Sequence, residues 1–304
     1  MDIAGWDDAD TDWWVQLRLG WQPTFSQSQL RALAGGQIAR FSHRAVAWDG
    51  PRRVGYAHIA HPPGQQMATA QVLVADPDRG RGVGSALFAD LLAQARGAPL
   101  TTAMPDQDEP SLAVARHWGF VTVSHAIRSR LDLHAHPPVP TGPAGPAGPP
   151  GCLVRIVDGT SPVDLRGRLD ALLRASDTSP EAVELGWNSN LADYEQMFPG
   201  VVWAAVEQRG HLVAVASASP HDRQDWLVIY TGVLAAHRRQ GLGRLAKTAM
   251  HAAAAERGAR TLTTDNDARN TAVRALNASL GYQRVGGEVR LQRAGADTSG
   301  TADT

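Results

Sequence analysis

Two stretches of the chain share one spacing of charge and glycine. HRRQGLGRLAK at 237–247 and DRGRGVGSALF at 78–88 both contain Arg-x-x-Gly-x-Gly, as Arg238-Gly241-Gly243 and Arg79-Gly82-Gly84. In each, a β-rich run stops at the glycines and a helical pattern begins. A helix that opens on glycine exposes backbone N–H groups, and its dipole favours an anion there. The missing Cβ lets a phosphate come close to the backbone. The stretch at 237–247 therefore reads as a diphosphate cradle, to which Arg238, Arg239 and Arg244 add charge. A tight turn requiring positive φ, with solvated arginines, accounts for one copy equally well. It accounts less well for two copies in matching contexts.

Such a cradle fits more than one ligand. Neither site has the GxxxxGK[ST] of a P-loop. Gly241-x-Gly243-x-x-Ala246 does satisfy a dinucleotide-binding fingerprint, with Asp265 about 20 residues downstream. In that fingerprint, however, the glycines follow the first strand of the unit. Here a hairpin and a third strand come first, and the preceding arginines have no role. A nicotinamide enzyme stays open as a rival reading.

The elements that must hold the turns are themselves repeated. The arginine–glycine motifs are offset by 159 residues (79 to 238). The helical segments ending in HWGF and SLGY are offset by 162 (Gly119 to Gly281). Two landmarks at nearly equal spacing indicate a duplicated domain. Between the copies lies HAHPPVPTGPAGPAGPPG, 134–151, with seven prolines and four glycines, a stiff linker by composition. The expected division is a lobe at 1–133, the linker at 134–151, a lobe at 152–293 and a disordered tail at 294–304. The second copy reads β-α-ββ-β-α-β-α-β, with a hairpin over 201–218 turning at Arg209-Gly210 and a final strand pair in YQRVGGEVRLQ. The first copy shows no clear opening strand, only a helical region with Trp13, Trp14 and Trp21, which reads as packing. The fold class is α/β, or mixed α+β: two tandem domains, each a mixed, mostly antiparallel sheet flanked by helices.

Composition narrows the partners. The 304 residues are 43% hydrophobic and 19% charged, with a formal net charge of −1. That balance supports two globular cores and gives no reason to expect nucleic acid or an anionic membrane as a partner. The acidic N-terminal stretch does not resemble a secretory leader, and the single cysteine, Cys152, rules out an intramolecular disulfide. A cytoplasmic protein, monomeric or homodimeric, is the expectation.

The strand VIYTGV, then RRQGLG opening a helix, then a strand, then the element from Asn270 to Gly281-Tyr282 resembles the GCN5-related N-acetyltransferase (GNAT) family. Both copies match its [QR]-x-x-G-x-[GA] motif, and the resemblance covers most of each lobe. In layout and length the chain is similar to tandem members of the mycothiol-synthase type and to actinobacterial small-molecule acetyltransferases. The resemblance implies acetyl-CoA as cofactor, its diphosphate held in the second copy by Arg238, Arg239, Gln240, Gly241, Leu242, Gly243 and Arg244. Val233 and Leu234 lie beside that turn, and Asn270 is placed to bond the pantetheine. In the first copy the matching positions are Arg79, Gly80, Gly82, Val83, Gly84 and Ser85. It also implies a bulge that parts the preceding strand from the next, for which Gly232 is the expected place, and a free N–H near Val233 that polarises the thioester carbonyl.

The chain departs from the family at the general acid. Many members place a tyrosine seven residues after the helix asparagine; here that position is Asn277, and in the first copy Ala115. The remaining catalytic candidates are Tyr230, Asn277 and Asp265. The acceptor is expected on the segment 176–200, where Glu184, Trp187, Asp193 and Tyr194 could hold a cationic amine. The fuller second copy is the expected catalytic lobe. The leading function is acetyl transfer to the amine of a small molecule, such as an antibiotic or amino metabolite. Non-catalytic acyl-CoA binding, mycothiol-synthase-type chemistry and peptide or protein acetylation are alternatives.

Overall fold

A computed structural model describes residues 1–21, 27–36, 40–61, 67–137, 150–176 and 190–295. Most of the expected linker, the acceptor residues Glu184 and Trp187, and the tail from 296 lie outside the described residues. The chain divides into two units, Met1–His125 with Glu288–Thr304, and Ala126–Gly287.

The first unit begins with β1 (Asp2–Gly5), α1 (Thr11–Trp21) and α2 (Gln27–Ala34). It continues through β2 (Arg40–Asp49), β3 (Arg52–His61), β4 (Ala68–Val74), α3 (Val83–Ala95), β5 (Leu100–Pro105) and α4 (Glu109–His117) into β6 (Val121–Asp132). The first copy therefore does have an opening strand. At four exposed residues, DIAG, β1 has no hydrophobic alternation to reveal it and is defined only by its pairing with Ala45–Trp48. The second unit contains β7 (Cys152–Val157), α5 (Val163–Ser176), α6 (Leu191–Met197), β8 (Val202–Gln208), β9 (His211–Pro220) and β10 (Asp225–Val233). It then runs through α7 (Leu242–Glu256), β11 (Thr261–Asp267) and α8 (Thr271–Ser279) into β12 (Gln283–Arg293). The strand pair expected in YQRVGGEVRLQ is one continuous strand; Gly286-Gly287 extend it without turning.

The two units have the same sheet, built with an exchange. In the first, the order is β1-β2-β3-β4-β5-β12; in the second, β7-β8-β9-β10-β11-β6. From Ala126 onward β6 pairs antiparallel with β11, and from Glu288 onward β12 pairs antiparallel with β5. Each sheet thus takes its sixth strand from the other copy in the sequence. Alternation fixes which face of a strand is buried but not which edge it joins, so the sequence pattern is equally consistent with either pairing.

Both sheets are covered on both faces, so their strands are buried at odd and even positions alike. In β8, Val202, Ala204 and Val206 pack with Ala246, Ala249, Met250 and Ala253 of α7, while Trp203 and Ala205 pack with Leu169, Leu172 and Leu173 of α5. In the first unit, Val83, Leu87 and Leu91 recur down one side of α3 and cover one face. Trp14, Val15 and Leu30 cover the other, against Val46 and Tyr56. The N-terminal tryptophans are packing residues, as expected.

One buried side chain opposes this packing. Lys247 on α7 is fully buried, and its Nζ lies 5.0 Å from the Tyr282 ring centre with no hydrogen-bond acceptor among the described residues. Burial pulls its pKa from 10.5 to about 7. The unfolded chain keeps the proton between those two values while the folded chain releases it, so stability rises with pH from about 7 to 10.5.

Two outcomes are expected. Lys247→Met raises the melting temperature at pH 7 by removing a penalty of a few kcal/mol, and it flattens the rise in stability across pH 7–10.5 measured by denaturant titration. Leu291→Ala, in a strand of the second copy by sequence, destabilises the first unit by about 2–4 kcal/mol. Hydrogen exchange should then quicken in β3–β5 and stay unchanged in β8–β11; the reverse pattern would refute the exchange.

Candidate active site

The two glycine turns have the same backbone. After β4, a 3-10 turn over Asp76–Asp78 leads through Arg79 to Gly80 at φ +73° and Gly82 at φ +82°, where α3 starts. After β10, a 3-10 turn over Ala235–His237 leads through Arg238 to Arg239 at φ +61° and Gly241 at φ +77°, where α7 starts. Arg239 thus holds a left-handed conformation that glycine holds in the first copy, at a cost of about 1–2 kcal/mol. A Cβ at Gly82 or Gly241 would meet nothing within 4 Å, so dihedral angle, not crowding, demands glycine there. Neither helix has a side-chain N-cap. Their first-turn N–H groups are therefore left for an external acceptor.

The turns differ in charge. In the first, Arg79 pairs with Asp76 at 2.8 Å, and Arg81 and Arg52 pair with the buried Asp78 at 2.7 and 2.9 Å. In the second, Ala235 and His237 stand where those aspartates would be. Arg238 Nε donates to the Val233 carbonyl at 3.2 Å and Arg244 to Ser279 Oγ at 2.7 Å. No carboxylate neutralises Arg239 among the described residues. Among the described residues, the second turn lacks the paired aspartates of the first.

Each turn ends the one parallel strand pair of its sheet, and each pair comes apart. β4 and β5 pair only at Ala68–Leu100 and Thr69–Thr101. β10 and β11 pair only over Asp225–Leu227 and Thr261–Thr263. Beyond these points the facing backbone edges have no ladder partner in each other. The expected bulge exists in β10, but between Val228 and Tyr230 rather than at Gly232. Gly232 answers a different need: a Cβ there would lie 2.6 Å from the Tyr230 ring and 2.7 Å from Ser176 Oγ. Tyr230 folds back over Gly232, which only glycine permits. β4 pairs with β3 without any shift in register.

A cavity of about 600 Å³ opens at the parting of β4 and β5. It runs from Gly80, Gly82 and Ser85 along the free edge of β4 to Met104 on β5. Phe88 and Trp118, stacked with ring centres 4.2 Å apart, form one wall. In the second unit a cavity of about 770 Å³ lies elsewhere, between α5, the β8–β9 hairpin and the 3-10 turn, lined by Arg168, Arg209, His237 and Gln240.

The residues expected to act in the second unit are engaged separately. The Tyr230 hydroxyl shares a hydrogen bond with Ser176 Oγ at 3.0 Å, and its ring packs on Tyr194. Asp265 receives two hydrogen bonds from Arg128, at 2.9 and 3.0 Å. Asn277 is buried and donates through Nδ2 to Asn266 Oδ1 at 2.6 Å; its Oδ1 has no partner. Asn270 caps α8 by accepting from the Val273 N–H at 3.3 Å. The Leu234 N–H donates to the Val213 carbonyl at 3.0 Å and is not free to polarise a carbonyl. Asp193 is bonded to Asn190 in the cap of α6. Tyr194 is core, its ring 5.4 Å from that of Trp203.

The first unit also buries three polar residues to which the sequence reading gave no role: Arg18 on α1, His58 on β3 and Gln71 on β4. Arg18 Nε and Nη1, His58 Nδ1 and Gln71 Oε1 have no hydrogen-bond partner among the described residues. A signal existed for two of them. Arg18 interrupts the buried stripe of Trp14 and Val15 at helical spacing, and Gln71 interrupts the apolar strand around it. Among the described residues no helix is long and apolar enough to cross a membrane, and no cluster could hold a metal.

The comparisons agree with this geometry. The model of the acetyltransferase (GNAT) family matches residues 6–120 and again 169–282. A tandem GNAT protein from the clavulanic acid biosynthesis pathway is 24% identical, with 99% of each chain covered and a TM-score of 0.76. A GCN5-related N-acetyltransferase from Sphaerobacter thermophilus is 19% identical over 99% of this chain and 98% of that one, at 0.65. One from Kribbella flavida is 18% identical over 88% and 95%, at 0.57. No curated protein matches in sequence. Two family domains in one chain, each with its glycine turn closing a parted strand pair, place this protein in the GNAT acetyltransferase family.

Proposed function

We propose that the chain is an acetyl-CoA-dependent N-acyltransferase for a small-molecule amine, and that the thioester lies in the first unit. The observation that carries this reading is the cavity at the parting of β4 and β5, which begins at the glycine turn. The residues there fit the group: uncapped N–H donors, open space at Gly80 and Gly82, and an unladdered strand edge. Acetyl-CoA supplies an acyl group on a thioester, which a neutral amine can take with the thiol as leaving group.

The chain's own residues would do the rest. The first turn of α3, from Val83 to Ser85, donates backbone N–H groups to the diphosphate. The free edge of β4 from Ala70 to Val74 offers backbone partners to the amides of the pantetheine arm. Phe88 and Trp118 exclude water from its path. Met104 and the apolar side chains around it keep the reacting end dry, which strengthens every polar contact made there. A thiol leaving group has a pKa of about 8.5, so departure near neutral pH does not require a strong acid. This suits a unit with Ala115 where many relatives have tyrosine.

A second reading places the thioester in the second unit. It is favoured by the charge of the 238–244 turn and by the bulge of β10.

Calorimetric titration with acetyl-CoA separates the two. One site is expected, lost in Gly82→Glu and in Ser85→Glu and kept in Gly241→Glu. Ser85→Glu places a carboxylate at the same helix start without disturbing a left-handed glycine, so a folding defect cannot mimic the result. Loss in Gly241→Glu alone would move the site to the second unit. Absence of binding would refute both.

A further inference from the structure

The gap between β4 and β5 closes where their pairing ends, at Thr69–Thr101. Gln71 follows on β4 and lines the cavity at this closed end, as Met104 does on β5. It is 8% exposed, and neither its Oε1 nor its Nε2 has a hydrogen-bond partner among the described residues. A buried carboxamide open at both ends is unfavourable unless a ligand bonds it. With no partner to lose, it can turn its carbonyl or its N–H groups toward that ligand. The register sets His58 opposite Gln71, so both lie on the face that carries Tyr56 beneath α1. The stacked Phe88 and Trp118 belong to the other face, with α3 and α4. An acyl arm lying along Phe88 and Trp118 and an acceptor bonded to Gln71 thus reach the gap from opposite faces of the sheet.

Gln71 accepts a hydrogen bond but not a proton, and the ionisable groups around it are committed elsewhere. Those that line the cavity are Asp78 and Arg79, both past the end of β4 at the glycine turn. Gln71 precedes that end by about 10 Å of extended strand. Asp78 is held by Arg52 and Arg81, and Arg79 by Asp76. Asp108, outside the lining, accepts from Trp21 Nε1 and from the Ser111 N–H, each at 3.2 Å. Burial, Arg18 and Arg44 lower His58 to about 3, so it is neutral and a very weak base at pH 7. An ammonium ion entering this end would lose its hydration without a counter-charge to replace it. The amine must therefore arrive neutral. At pH 7 an alkylamine as basic as a lysine side chain is neutral in about one molecule of 2,500, whereas a much weaker base is neutral almost throughout.

We propose that the acceptor is a weakly basic amine, an arylamine or hydrazide already neutral at physiological pH, which donates one N–H to Gln71 Oε1. This rests on the reading of the cavity as the acyl-transfer site. That bond points the nitrogen lone pair away from Gln71 and toward the thioester carbon. The lone pair forms the C–N bond and the C–S bond breaks. The nitrogen, made strongly acidic by the attack, gives its proton to the departing thiolate. The products are the N-acetylated amine and free coenzyme thiol.

The test is thiol release from acetyl-CoA by the full chain, with aniline, benzhydrazide and benzylamine as acceptors of similar size. At pH 7 aniline or benzhydrazide should exceed benzylamine in kcat/KM by about 10-fold or more. Between pH 6 and 8.5 the benzylamine value should rise about 10-fold per unit, following its own deprotonation, while the benzhydrazide value stays flat. Gln71→Glu keeps the shape but adds a carboxylate, and should reverse the preference toward benzylamine. Gln71→Leu should lower kcat/KM for the weak amine about 10-fold and leave acetyl-CoA affinity unchanged, which shows that the variant is folded. Benzylamine as the best acceptor of the wild type, or an unchanged preference in Gln71→Glu, would overturn the proposal while the acyl-transfer reading stands. Acetyl-CoA binding without acetylation of any of the three would also overturn it and leave the cofactor site in place. Failure of acetyl-CoA to bind would remove the reading and the proposal together.

Discussion

The structure depends on a parallel strand pair that is allowed to fail. In each unit all other strand pairs are antiparallel, and the single parallel pair holds for two or three residues before it separates. Separation leaves backbone N–H and C=O groups without partners, which a folded protein tolerates only where a ligand or water can reach them. What keeps the edges apart is packing on the two faces: α3 with α4 on one side and α1 with α2 on the other in the first unit. The glycine turn then has a place to be useful, because the helix it starts points its open N–H groups into the gap.

Duplication supplied this device twice, and the copies have diverged in complementary ways. The first keeps room at the gap but neutralises its turn with Asp76 and Asp78. The second keeps the charge of Arg238, Arg239 and Arg244 but commits its polar residues to one another: Tyr230 to Ser176, Asn277 to Asn266, Asp265 to Arg128.

Buried polar groups differ in their surroundings. Lys247 sits among apolar side chains of α7 and against Tyr282, away from either cavity, and destabilises the folded state without an evident ligand. Gln71 is also buried but lines a cavity, and its Oε1 has no hydrogen-bond partner among the described residues.

The sequence by itself determined the duplication, the positions of both turns, the order of most elements and, through the spacing of arginine and glycine, the family. Those features are local: a left-handed glycine before a helix and a period of two or 3.6 residues are written within a dozen positions. Tertiary structure decided the rest. β1 carries no pattern of its own and exists by pairing. The bulge lies at Val228–Tyr230, while Gly232 admits the Tyr230 ring. The exchange of β6 and β12 left no trace in the alternation of either strand. Nor could spacing say that Tyr230, Asp265 and Asn277 would each find a separate partner, or that His58 and Gln71 would sit directly opposite each other in the sheet. Which polar atom is satisfied depends on what lies opposite it in space, and that is fixed only when the sheets have paired and the helices have packed.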